Sequence, residues 1–112
     1  MEFRHSEIST KTGKELAFTG SLFEPDLNEP GKLKMTFHKM PITVDYWILR
    51  TDYKTYAAIY SCKEVNSSHV PHAWILTRKQ HPRKSVVKRA LNVFVSHQVD
   101  TKEFIDTDQT DC

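Results

Sequence analysis

No run of about 18 apolar residues occurs anywhere in this chain, so no membrane-spanning helix is expected. The opening residues 1–7, MEFRHSE, lack the apolar core of a secretory leader. Charge of one sign is also lacking: the net +2 is too small to argue for a nucleic-acid surface. No nucleophile, base and orienting group can be named together, so no catalytic residue is assigned and the chain is not expected to be an enzyme. No cofactor is expected either. His69 and His72 lie three apart with Pro71 between them. On a strand that spacing sends them to opposite faces, which argues against a metal site. Cysteine is scarce, with only Cys62 and Cys112; an even pair reads most simply as one disulfide. Helical segments are missing between the strand-like runs, and this excludes a parallel α/β sheet.

The length of 112 residues suffices for one domain with a single core. Its organising stretch is 46–78. Residues 46–50 (YWILR), 56–62 (YAAIYSC) and 70–76 (VPHAWIL) are strand-like, separated by a polar turn at Asp52 and by Asn66, Ser67 and Ser68. Three such runs form a β-meander. The run 73–76 does not alternate apolar with polar, which predicts that both its faces are covered. A cover follows directly: His81, Pro82 and Arg83 open a helical segment to about Ser96, with Pro82 suited to the first turn and Val87, Ala90, Leu91 and Phe94 at helical spacing. One face of the last strand, Ala73 and Ile75, then packs under the helix. The other, Trp74 and Leu76, lines whatever the sheet encloses.

Upstream, residues 3–9 alternate weakly and Thr12, Gly13 and Lys14 read as a hairpin turn. In 15–22, Leu16, Phe18 and Leu22 share one parity, with Gly20 marking a kink or a close approach. Residues 25–31 form a loop. The run 32–38 alternates cleanly: Leu33, Met35 and Phe37 on one face, Lys32, Lys34, Thr36 and His38 on the other. Residues 99–105 are short and mixed, and 106–112 make a polar, flexible-looking tail. Six strands, one helix and a tail leave an antiparallel barrel or sandwich. The basic tract 78–84, with Lys88 and Arg89 behind it, reads as a solvated helix start in preference to a phosphate or lipid-headgroup site.

The segments 46–53, 56–62, 73–78 and 106–112 together resemble the lipocalins, most closely the apolipoprotein D group with its insect relatives. Thr51, Asp52 and Tyr53 match the motif in the turn between the sixth and seventh strands, and Arg78 matches the arginine ending the eighth. Residues 28–33 resemble the loop entering the fifth strand. The Gly-x-Trp segment of the first strand has no match. The resemblance therefore implies a mainly β fold: a partial antiparallel up-and-down lipocalin β-barrel, strands three to eight, with one α-helix packed outside near the C-terminus. Residues 1–112 are expected to be a single, amino-terminally truncated lipocalin domain, with two open sheet edges able to self-associate.

The same resemblance implies a secreted carrier of a small hydrophobic ligand such as a fatty acid, sterol or pigment, with Phe37, Tyr46, Trp74 and Leu76 in its calyx. Trp74 suits stacking on a flat ligand; Phe37, Tyr46 and Leu76 serve equally well as plain core packing. The alternative is a truncated form without a closed pocket, acting through association or binding no ligand. Arg78 is expected to close one barrel end with its stem against aromatic rings, and Thr51 and Asp52 to make turn hydrogen bonds. In the apolipoprotein D group the cysteines matching Cys62 and Cys112 each pair with an amino-terminal cysteine that this chain lacks, which implies two thiols with missing partners in place of a mutual bridge. Asn66 heads an Asn-Ser-Ser sequon, a glycosylation site if the chain is secreted.

Overall fold

The computed structural model describes residues 1–110 and, within residues 63–65, the backbone only. Six strands run in the order β1 (Glu2–Ile8), β2 (Glu15–Phe23), β3 (Lys32–Phe37), β4 (Thr43–Thr51), β5 (Tyr56–Val65) and β6 (Ser68–Thr77), followed by one helix, α1 (Lys84–Ser96). Each strand neighbours the next in a single six-stranded sheet, the up-and-down order expected from the sequence. The mainly β class with one C-terminal helix is thus as expected. Strands β4 to β6 are longer than their apolar runs suggested, because polar residues at their ends still pair. No helix among the described residues is long and apolar enough to cross a membrane. Two compact units divide the chain: residues 1–47 with 61–71, and residues 48–60 with 72–112.

In the first unit β2 is paired between β1 and β3, so Gly20 stands opposite both Phe3 and Phe37. A Cβ there would lie 1.9 Å from the Thr36 carbonyl oxygen and 2.7 Å from the Phe3 ring. Glycine is therefore required for close approach, one of the two readings its sequence position left open. Over the gap it leaves, the Phe3 and Phe37 rings meet edge to face at 5.9 Å, and Phe18 joins Phe37 at 6.4 Å. Leu22 and Leu33 of the same unit are buried, whereas Leu16, expected on the same face as Leu22, is exposed towards the strand's start.

The core of the second unit is built by α1. Val86, Ala90, Val93 and Phe94 are buried with Tyr56 and Ala58 of β5, and Leu49, Ala73, Ile75, Val99 and Phe104 pack around them. The sequence predicted a stripe of Val87, Ala90, Leu91 and Phe94. Six of the seven apolar positions of this helix, all but the exposed Val95, cover an arc of about 160°, and the strands take the side centred on Ala90 and Phe94 that includes Val86 and Val93. Val87 and Leu91 flank the seam half-buried. Helix α1 also begins later than expected: Arg83 is the N-cap and Pro82 precedes it, outside the first turn.

Its far end closes as a Schellman motif without glycine. Gln98 adopts φ 61°, the Val99 amide donates to the Phe94 carbonyl at 2.9 Å, and the Gln98 amide to Val95 at 3.0 Å. The motif turns Val99 back onto the core, and Phe104 follows, its ring 5.0 Å from that of Phe94. The segment after the helix is therefore structural. The tail is tethered too, since the Gln109 side chain donates to the Gln80 carbonyl at 3.1 Å. Cys112 lies outside the described residues, and so does its expected bonding.

The β4–β5 turn is organised by one carboxylate. Asp52 Oδ1 accepts the amides of Lys54, Thr55 and Tyr56 at 2.9, 2.7 and 3.2 Å, while Oδ2 takes the Thr55 hydroxyl. These donors hold the Asp52 carboxyl well below the usual carboxylate range. Thr51 Oγ1 accepts the Tyr53 amide at 2.9 Å and donates to the Tyr56 carbonyl at 2.7 Å. Tyr53 is left at φ 64°, with its ring in solvent.

Two tests follow from these features. Phe94→Ala should remove about 3–5 kcal/mol of stability, read by urea denaturation; a loss under about 1 kcal/mol would show that the helix is not seated on Phe94. The Asp52 carboxyl is depressed on folding, so its stabilisation is complete above its ordinary value and is lost as pH falls toward the depressed one. Melting temperatures should therefore drop between about pH 4 and pH 2. Asp52→Ala should melt lower at neutral pH and show a shallower acid dependence; an unchanged acid slope would remove Asp52 from this role.

Candidate functional site

Strand β6 was expected to be covered on both sides, and only one side is. Ala73 and Ile75 pack on the helix core as predicted. Trp74 and Leu76, pointing the other way because strand side chains alternate, are 41% and 47% exposed. The unbroken apolar run therefore does not report two covered faces: the helix core covers one, and the other stays partly exposed. His72, on the same side as Trp74, lies nearly parallel to the indole, centroids 5.7 Å apart and planes 14° from coplanar. That stack was not anticipated, although the i, i+2 spacing of the two rings on a strand is its signal.

Beside Leu76 lies a cavity of about 290 Å³ lined by Thr51, Tyr53, Tyr56, Ala57, Thr77 and Arg78, among others. It joins the end of β6 to the Asp52 turn. Arg78 was expected to lay its stem on aromatic rings. Instead its backbone amide donates to the Thr55 carbonyl at 3.0 Å and its guanidinium to the Tyr53 carbonyl at 3.2 Å. The four motif residues Thr51, Asp52, Tyr53 and Arg78 are thus joined by hydrogen bonds into one clamp. The left-handed Tyr53 leaves its carbonyl without a partner in the strand ladder, and the long Arg78 side chain reaches it from the end of β6.

The remaining candidates belong to the first unit. Phe37 contributes to the aromatic group over Gly20. Tyr46 is half-buried, paired across from Leu33, and burial pushes its phenol up. Next to it Lys34 pairs with Asp45, and the Lys32 ammonium stands 4.9 Å above the Trp47 ring. Cys62 is a half-buried free thiol. Asn66 and Ser67, with φ 49° and 67°, form the two-residue turn between β5 and β6, and Asn66 is exposed there.

The model of the lipocalin / cytosolic fatty-acid binding protein family matches residues 5–111. Apolipoprotein D of Macaca fascicularis is 38% identical over 88 residues, 78% of this chain and 47% of its own length. Among solved structures, H1 crustacyanin from the lobster Homarus americanus superposes with a TM-score of 0.79 at 30% identity, covering 95% of this chain and 57% of that one. Insecticyanin of Manduca sexta superposes with a TM-score of 0.74 at 28% identity, covering 96% of this chain and 67% of that one. The chain spans about half the length of the curated relatives it matches. With the family match running through nearly every residue, and strand order, turn motif and helix agreeing with it, this chain belongs to the lipocalin family.

Proposed function

We propose that the chain is a binding module that carries a small hydrophobic ligand such as a fatty acid, sterol or pigment, and that it is not an enzyme. The lipocalin family is known for binding small hydrophobic ligands such as pigments and lipids. The observation that carries the reading is the uncovered apolar face of β6, with Trp74 stacked on His72 and Leu76 beside a cavity. Covering such a face with an apolar ligand gains roughly 25 cal/mol per Å² removed from water. Trp74 offers a flat ring and an indole donor. Phe37 and Tyr46 join the ligand set on the family resemblance. Thr51, Asp52, Tyr53 and Arg78 hold the end of the sheet and are not assigned to the hydrophobic ligand. Secretion is part of the proposal, supported by the secreted relatives, and makes Asn66 a glycosylation site.

Trp47 and Trp74 are the only tryptophans, so Trp47→Phe isolates the proposed contact. Its emission should quench saturably as a fatty acid or sterol is added, and Leu76→Ser should weaken the apparent affinity about tenfold. No quenching, together with no displacement of a fluorescent fatty acid, would end the carrier reading.

A second reading is favoured by the strand order, in which β1 and β6 stand at the two ends. A terminal strand presents unpaired amides and carbonyls that another chain can use, and self-association is the proposed consequence. Light scattering across a concentration series should show dimers or larger species that Ser6→Pro, in β1, reduces. A monomer at every concentration would refute association.

A further inference from the structure

The second unit contains another cavity, on the helix side of the Asp52 turn, of about 250 Å³. Five cationic residues line it: Lys54 from the turn, Arg78 and Lys79 after β6, and Arg83 and Arg89 at the start of α1. The sequence showed only a basic tract. Folding adds Lys54 from a distant hairpin, and Arg89 faces the cavity because it lies four residues beyond Ser85 and three beyond Val86, one turn along the same side of the helix.

Among the described residues these charges have no ion-pair partner, the pairs present being on Arg4, His5, Lys32, Lys34 and His38. The carboxylate of the adjoining turn, Asp52, already accepts three backbone amides and a hydroxyl. Helix α1 adds positive potential of its own: its first turn has no acidic residue and its N-cap no side-chain hydrogen bond. Pro82 and Val86 supply an apolar wall, and Ser85 a hydroxyl.

We propose that this cavity binds a phosphate group. Guanidinium forks match the tetrahedral oxygens in geometry and charge; Arg83 and Arg89 line the cavity with no ion pair, and Arg78, one of whose nitrogens serves the Tyr53 carbonyl, lines it as well. The bearer is either a soluble phosphate ester or pyrophosphate, or the phosphate of a lipid headgroup. The cavity shares Lys54, Thr55 and Arg78 with the one beside Leu76 but contains neither Leu76 nor Trp74, so it stands or falls without the carrier reading.

Titration calorimetry with pyrophosphate, alongside flotation with phosphatidylcholine vesicles with and without phosphatidic acid, tests it. The double variant Arg83→Gln with Arg89→Gln changes exposed side chains and should keep its helix signal. A control, Lys11→Gln with Lys14→Gln, removes the same charge from the β1–β2 turn. Saturable pyrophosphate binding that falls by on the order of tenfold or more in the arginine variant, but not in the control, establishes the site with a soluble ligand. Binding confined to phosphatidic acid vesicles with the same variant pattern establishes it with a headgroup. No binding of either kind, or equal loss in both variants, overturns it.

Discussion

The seating of α1 on β5 and β6 is the interaction on which the second unit depends. Ala58, Ala90 and Phe94 are completely buried. Two of these are alanines: small residues on strand and helix let the backbones approach until Phe94 fills the space between them. Burial of that ring fixes where the helix lies. The helix start then sets Arg83 and Arg89 over the turn, and its end returns Val99 and Phe104 to the same core.

The clamp around the Asp52 turn solves a different problem. A left-handed tyrosine is costly, and backbone groups in a tight turn need partners. Asp52 supplies the acceptors, Thr51 one of each kind, and Arg78 reaches across from the end of β6 to donate to the Tyr53 carbonyl. The family motif is legible here as hydrogen-bond bookkeeping: residues 25 apart in sequence share one turn. What they fix is the rim of the sheet, and through it the position of Leu76.

Much of this was legible beforehand. Alternation in β3, the turn residues at Gly13 and Asn66, and the apolar run of β6 gave the strands in order. The division of β6 into a helix side and a side lining the enclosed space held on the helix side, for Ala73 and Ile75. Three readings failed for physical reasons. The helix stripe was misplaced because a broad apolar arc fits two registers, and only the strands beneath select one. The uncovered state of Trp74 and Leu76 was missed because apolar residues record affinity for a dry neighbour without supplying it. The return of Val99 and Phe104 to the core was missed, the run 99–105 reading only as short and mixed, because a Schellman turn on Gln98 carries no glycine to announce it.

Local chemistry, then, is what the sequence by itself determined: which segments extend, where the chain turns and that Asp52 makes the hydrogen bonds of its own turn. Those depend on neighbours within a few residues. Only the tertiary structure decided which helix positions are buried, that His72 stacks on Trp74, that Arg78 serves Tyr53, and that Lys54 joins four cations from another part of the chain. Each of these depends on distance in space between residues remote in sequence or on a choice between equivalent faces, and neither is encoded in spacing along the chain.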